Sequence, residues 1–106
     1  LVVRGKPILT DVTMKDVIEL EIDGKVDRVL TTGSGSIGVD MEQAPQELLN
    51  AFRDASLIIS KGMANYETLT EHEMGPIAYL LKAKCKPVAR HIGVGVGHSV
   101  ARLFEQ

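Results

Sequence analysis

The sequence predicts an α/β domain with a three-layer, Rossmann-like arrangement, in which helices flank a mostly parallel sheet of about four to five strands. Short apolar runs alternate along the chain with segments of helical periodicity. Strands that are separated by helices or long loops pair in parallel through right-handed crossovers. We expect a truncated domain, because the chain opens in mid-strand at Leu1 without a preceding turn, cap or initiator methionine.

The first half of the chain contains signals for strands, two helices and a turn. Thr13 precedes a helical segment as its N-cap, and Asp16 lies near the positive end of that helix dipole. Leu48 and Phe52 recur at helical spacing in a second helix, in which Pro45 is tolerated only near the first turn. The predicted elements are apolar runs at residues 1–3 and 8–9, a helix at 14–20, a turn at 23–24, a strand at 26–32 and a helix at 41–55.

The second half of the chain continues the alternation. A continuous apolar run before Ser60 is typical of a buried parallel strand. The predicted elements are a strand at 57–60, a short helix at 64–69, a polar loop at 70–75, a strand at 77–82, a turn near 93–97 and a last strand at 99–104. Between residue 85 and that turn, the pattern does not decide the secondary structure.

Composition excludes several classes of function. The chain has 106 residues, of which 44% are hydrophobic and only 4% aromatic, so its core is expected to be aliphatic. Acidic and basic residues are interspersed and the formal net charge is −2, which predicts no nucleic-acid partner. Cys85 is the single cysteine, which excludes an internal disulfide and fits a reducing cytoplasm. Because no apolar stretch has the length of a membrane span, we predict a soluble cytoplasmic domain without a membrane partner.

Polar clusters follow two of the predicted strands. Asp11 follows the apolar runs at the start of the chain, and Lys61, Gly62 and Asn65 follow the strand at 57–60. Open α/β sheets bind ligands at the carboxyl edge of their strands. We therefore predict that Asp11 and Lys61 face one pocket.

Each of these residues also has a structural explanation. Asp11 would serve equally well as a cap of the helix at 14–20 or of the turn before it. Lys61 and Lys84 would be solvated surface charges in most proteins, and Asn65 an ordinary loop or cap residue. The spacing of Lys61 and Asn65 around Gly62 favours the functional interpretation.

Other motifs do not define a site. The glycines at 33, 35 and 38 match neither the dinucleotide-binding fingerprint nor the P-loop, so they are interpreted as a turn. The three histidines are scattered, and Cys85 has no partner at a metal-ligand spacing. We interpret Cys85 as a small buried side chain.

Several motifs, in order, resemble the metal-dependent phosphatase family first catalogued as domain of unknown function 89, whose members are also called damage-control phosphatases. The similarity covers nearly the whole chain and is greatest to the stand-alone archaeal and bacterial branch. Its most specific part is the lysine-glycine to asparagine-tyrosine segment. The matching residues are 4–13 (RGKPILTDVT), 32–33 (TG) with 38–40 (GVD), 61–62 (KG) with 65–69 (NYETL), and 80–81 (LL) with 84–85 (KC).

The resemblance implies residue roles for hydrolysis of small phosphorylated metabolites. Asp11 would be a catalytic residue and a ligand of a divalent cation, commonly manganese, cobalt or nickel, with magnesium as a further candidate. Lys61, Gly62 and Asn65 would lie on the phosphate and substrate side. Lys84 would be a further phosphate contact, with Lys82 as a rival for that match. The sequence departs from the family pattern at residues 10 and 98, where Thr and His stand.

The family's upstream helical region and its aspartate-asparagine metal motif have no counterpart in this sequence. Residues 1–106 are therefore predicted to be the C-terminal part of an α/β metal-dependent phosphatase domain, inactive without the upstream ligands. Two alternatives stay open. The chain could be an anion- or nucleotide-binding module without catalysis, or a structural remnant that forms a homo-oligomer by pairing an exposed sheet edge with another copy.

Overall fold

The computed structural model describes residues 1–105, which divide into two compact units. The first unit is Leu1–Arg53 and the second comprises residues 54–105. Within the described residues, five strands form one two-stranded and one three-stranded sheet, accompanied by helices. The α/β class is thus confirmed, whereas the predicted single sheet is replaced by two.

The first unit contains a parallel strand pair and two helices. Val2 of β1 pairs with Leu30 of β2, and the buried side chains of this unit include Val3 and Leu30. No helix in the described part of the chain is long and apolar enough to cross a membrane. In order, the elements are β1 (Val2–Val3), α1 (Met14–Glu19), a 3-10 turn (Ile22–Lys25), β2 (Leu30–Thr31) and α2 (Gln46–Asp54).

Both helices of the first unit begin at residues that suit a helix start. Thr13 is the N-cap of α1 as predicted, and the Asp16 carboxylate accepts hydrogen bonds from the Thr13 backbone N–H at 2.9 Å and hydroxyl at 3.1 Å. The helix predicted at 41–55 is shorter, because α2 starts at Gln46 directly after Pro45. The Pro45 carbonyl accepts the first backbone hydrogen bond of α2, from Leu48, whose side chain is buried.

Two predicted strands of the first unit are shortened or absent. The apolar run at 8–9 forms no strand, since Leu9 has a left-handed φ of 49° and is 90% exposed. Residues 8–11 instead close a turn, in which the Asp11 N–H donates to the Ile8 carbonyl at 3.0 Å. The strand predicted at 26–32 is reduced to Leu30–Thr31, whose residues are in register with Val2 and Val3 of β1.

The second unit is a three-stranded sheet with helices in its connections. Its strand order is β3-β4-β5, with β3 parallel and β5 antiparallel to β4. Along β4 the side chains of Ile77, Tyr79 and Leu81 are buried, while Leu80 on the opposite face is exposed. The elements are β3 (Ile58–Lys61), α3 (Met63–Leu69), β4 (Ile77–Lys82), α4 (Lys86–Ile92) and β5 (Ser99–Phe104).

The loop before β5 explains why this strand runs antiparallel. The Gly97 N–H donates to the Ala83 carbonyl at 2.7 Å, and the Ala83 N–H donates to the His98 carbonyl at 2.9 Å. These bonds hold the chain at the carboxyl end of β4 after α4 has ended. Since β5 starts beside the end of β4, it can only pair by running back along it.

Candidate active site

The carboxyl edge of the parallel pair β3 and β4 carries the most specific sequence motif. Lys61, the last residue of β3, is opposite Leu80 of β4. Gly62 then turns the chain into α3 with a φ of +99°, a conformation that glycine adopts without strain. Its N–H donates to the Leu80 carbonyl at 2.9 Å, which fixes the turn against β4. The motif therefore lies on a strand-to-helix connection at the predicted edge.

Asn65 stabilises this connection from within. Its side-chain amide donates to the backbone carbonyl of Lys61 at 2.8 Å. The bond spans four residues and ties the first turn of α3 to the end of β3. The amide group of Asn65 therefore has a local structural role, and its predicted contact with substrate stays a prediction.

The connection after β4 lies beside the connection after β3. The backbone N–H of Lys84 points at Sδ of Met63 at 3.4 Å, and Sγ of Cys85 lies 4.0 Å from the same sulfur. Cys85 is partly exposed rather than fully buried, and it is the N-cap residue of α4. Lys84 and the Lys61–Asn65 segment thus lie at one edge of the second unit.

Lys82 joins this edge on the same sheet face as Lys61. Lys82 lies two residues beyond Leu80, the partner of Lys61, so the two lysine side chains leave one face, with Cα atoms about 8 Å apart. No acidic residue occurs between Glu73 and Glu105. The basic residues in that interval are Lys82, Lys84, Lys86, Arg90 and Arg102. The segment that includes β4 and α4 is therefore positively charged, although the whole chain is not.

Asp11 lies in the first unit and is paired with an arginine. Nε of Arg4 donates to Oδ2 of Asp11 at 2.9 Å, and the side chains are 10% and 44% exposed respectively. Nη1 of Arg4 also donates to the Gly38 carbonyl. Asp11 does not cap α1, because Thr13 occupies that position. The helix-cap interpretation of Asp11 is therefore wrong. Its backbone N–H closes the turn at residues 8–11, and its carboxylate forms an ion pair.

Asp11 is chemically suited to be one ligand of a divalent cation. The ion pair engages Oδ2 and leaves Oδ1 for another partner, and carboxylate oxygen is a preferred ligand of hard cations. Within residues 1–105, however, no group of three His, Cys, Asp or Glu side chains is arranged to hold a metal ion. Asp11 fits such an ion as a single ligand, and the described residues alone do not complete its coordination.

The five predicted site residues are divided between the two units. Asp11 belongs to the first unit, while Lys61, Gly62, Asn65 and Lys84 belong to the second. The structure brings the latter four to one sheet edge. The pocket shared by Asp11 and Lys61 stays a prediction.

Sequence reasoning missed an aromatic cluster next to the motif. The Tyr66 hydroxyl is hydrogen-bonded to Nδ1 of His91, and its ring packs edge-on against Tyr79 at a centroid distance of 4.9 Å. Tyr79 in turn packs against Phe104 of β5 at 5.5 Å. Tyr66 lies in α3, Tyr79 in β4 and His91 in α4, so these contacts pack α3 against the sheet and against α4. The adjacency of tyrosine to the motif asparagine is the signal that would have identified it.

Both tyrosines of the chain are expected to ionise at a higher pH than a free tyrosine does. Burial raises the pKa of Tyr66 above the usual 10.0, and the Arg102 charge offsets part of that rise. Burial, followed by the neighbouring Tyr66, also raises the pKa of Tyr79. Because the pKa of each tyrosine is higher in the folded chain than in the unfolded one, the contribution of the two neutral phenols to folding stability is complete below pH 10. That contribution is lost as pH rises through the folded-state pKa values.

Absorbance at 295 nm should therefore show both phenolates forming at a higher pH in the folded chain than in urea. Tyr66→Phe should remove one of the two titrations and leave that of Tyr79. Folded and urea-unfolded chains that titrate together would contradict this prediction.

Comparison with known proteins identifies relatives along nearly the whole chain. A family model described as the damage-control phosphatase ARMT1-like domain matches residues 1–100. A damage-control phosphatase of Archaeoglobus fulgidus is 50% identical over 104 residues, which are 98% of this chain and 36% of the relative. A damage-control phosphatase of Pyrococcus horikoshii is 40% identical over 97 residues, which are 90% of this chain and 33% of the relative.

A solved structure has the same fold over the same region. It is the crystal structure of a DUF89 family protein from Pyrococcus horikoshii, with a TM-score of 0.88 and 36% sequence identity. The similarity covers 96% of this chain and 35% of that chain. The sequence therefore spans about a third of the length of these relatives.

Proposed function

This chain belongs to the damage-control phosphatase ARMT1-like family, and on that premise we propose that it carries part of the active site of a metal-dependent phosphatase. In the complete protein, the proposed reaction is hydrolysis of small phosphorylated metabolites. The observation that supports the proposal most directly is the gathering of Lys61, Gly62 and Lys84 at one carboxyl edge. The remaining two thirds of such a protein would supply the rest of the site.

The lysines of this edge suit the phosphate group of a substrate. Lys61 and Lys84 are exposed cations on short connections, and an ammonium group acts as a point charge toward phosphate oxygens. The Gly62 turn and the Asn65 hydrogen bond hold the Lys61 backbone in place, which limits the reorganisation needed when charge develops on the phosphate. Lys82 is close enough to share this role.

Asp11 is proposed as one ligand of a divalent metal ion, with the others outside residues 1–105. Bound there, Mn²⁺, Co²⁺, Ni²⁺ or Mg²⁺ would supply Lewis-acid stabilisation of the phosphate oxygens. The contribution of this chain is a carboxylate whose one oxygen is already fixed by Arg4.

A phosphate-release assay across metals tests the proposal on this chain and on the complete protein. The complete protein should hydrolyse phosphomonoesters with a metal-dependent rate, and this chain alone should not. If the complete protein binds phosphate esters without hydrolysing them, the binding-module alternative is correct instead. Light scattering tests the structural-remnant alternative, since a monodisperse monomer would argue against pairing through the outer edges of β3 or β5.

Lys61→Ala in the complete protein is expected to lower kcat/KM by about 10²-fold, the usual effect of removing one charged contact to the transition state. Steady-state kinetics measure it, with Lys25→Ala as the control because Lys25 is an exposed lysine of the 3-10 turn in the first unit. Equal losses of kcat/KM in both variants would mean that the net charge of the protein, and not Lys61 itself, determines the rate.

The three-layer arrangement and the cytoplasmic location are part of the same proposal.

A further inference from the structure

The side chain of Arg4 connects three separate segments of the first unit. Its guanidinium is 10% exposed and donates through Nε to Oδ2 of Asp11 and through Nη1 to the carbonyl of Gly38. These two acceptors lie 7 and 34 residues away along the chain. A guanidinium keeps its charge in proteins and carries donors in a fixed planar fork, so the positions of both acceptors are set by one rigid group.

The backbone around Arg4 is itself held in place. The Arg4 N–H donates to the Val12 carbonyl at 3.0 Å, and Arg4 forms an isolated parallel bridge with Thr13. The next residue, Gly5, donates to the Ser34 carbonyl at 3.1 Å and to Oγ1 of Thr32 at 3.1 Å. Both the base of the Arg4 side chain and its tip are therefore restrained.

Asp11 depends on Arg4 for the orientation of its carboxylate. Asp11 follows a turn in which Leu9 is almost fully exposed, so little packing from its own segment fixes the side chain. Arg4 binds Oδ2, while Asp11 stays 44% exposed and can offer Oδ1 to a further partner. A carboxylate held in this way presents one oxygen in a defined direction.

We propose that Arg4 is a positioning residue, which orients the Asp11 carboxylate for binding of a divalent cation in the complete protein. The proposal rests on the proposed function, in which Asp11 is a metal ligand. Removal of a group that hydrogen-bonds to a metal-ligating carboxylate, without binding the metal itself, typically weakens metal binding by about 10–100-fold. Arg4 acts through Asp11 and needs no contact with substrate.

The test is direct binding of Mn²⁺ to the complete protein, followed by the electron paramagnetic resonance signal of free Mn²⁺. Arg4→Gln should weaken Mn²⁺ binding by about 10–100-fold, and Arg4→Lys should weaken it less, since a lysine keeps the charge but cannot contact both acceptors in the same geometry. If Arg4→Gln fails to fold, Arg4→Lys decides the outcome. Activity is not needed for this readout.

Two variants separate positioning from general destabilisation. Leu48→Ala shortens a buried side chain of α2, an element that contains neither Arg4 nor Asp11, so it should lower the melting temperature and leave the Mn²⁺ affinity unchanged. An equal loss of Mn²⁺ affinity in Leu48→Ala and Arg4→Gln would overturn the proposal. Asp11→Asn should lose Mn²⁺ binding. If it does, and the Arg4 variants bind Mn²⁺ like the wild type, then only the positioning role of Arg4 is wrong. If Asp11→Asn also binds like the wild type, the metal role in the proposed function fails together with it.

Discussion

Asp11→Asn in the complete protein is expected to lower kcat/KM for a phosphomonoester by about 10³-fold. A metal ion stabilises a transferring phosphoryl group by several kcal/mol, and each 1.36 kcal/mol corresponds to about a tenfold change in rate. Asparagine keeps the size of the side chain and retains an oxygen that can accept the hydrogen bond from Arg4. The fold should therefore survive, while the anionic ligand is lost.

Steady-state phosphate release at saturating and at limiting Mn²⁺ measures this effect. Asp23→Asn is the matched control, because Asp23 lies on the exposed 3-10 turn of the first unit and its replacement changes the charge by the same amount. The melting temperature of Asp11→Asn should stay close to that of Asp23→Asn. Wild-type activity in Asp11→Asn would reduce Asp11 to a structural ion pair and remove it from the proposed active site.

The second-unit part of the candidate site could be predicted because local signals are sufficient there. The apolar run that ends at Lys61 indicates a buried strand, and the following glycine marks the point at which the chain turns into a helix. Lys84 follows β4 in the same way. Parallel pairing places the ends of both strands at one edge. The assignment of Lys84 itself came from the family resemblance and not from this local pattern.

Helix α4 was within reach of the same reasoning. Pro87 lies at its start, where the missing N–H costs nothing, and Gly93 ends it with a left-handed φ of 90°. This proline and glycine delimit the helix. The spacing of Gly93 to the later glycines obscured the signal, because it resembles a loop. Recognising the pair would also have shown that a helix precedes β5.

The surroundings of Asp11 could not be predicted from local pattern. The run at 8–9 is apolar, yet it pairs with no strand among residues 1–105, and Leu9 is exposed in a turn. The contact between Arg4 and the Gly38 carbonyl spans 34 residues, and no periodicity encodes a bond of that length. Long-range hydrogen bonds from an arginine whose side chain is 10% exposed decide the conformation here, whereas hydrophobic spacing is insufficient.

Gly5→Ala is expected to destabilise the first unit by about 3 kcal/mol, a loss at the upper end of that usual for overpacking. A methyl group at Gly5 would lie 2.5 Å from the backbone nitrogen of Ser34 and 2.6 Å from the carbonyl carbon of Gly33. Both are backbone atoms, so relief requires the segment at Gly5, which follows β1, and the loop at 33–34 to separate. Their separation breaks the hydrogen bonds from the Gly5 N–H to Ser34 and Thr32.

Gly24→Ala provides the matched comparison, since no atom beyond the adjacent residues lies within 4 Å of a methyl group at Gly24. At such a position alanine reduces the freedom of the unfolded chain, so this variant should be neutral or more stable by up to about 1 kcal/mol. Urea unfolding of the complete protein, followed by circular dichroism, should give a lower midpoint for Gly5→Ala only. Equal midpoints would show that Gly5 does not need its close approach to the loop at 33–34. The backbone that holds Arg4 beside Asp11 would then be looser than the structure indicates.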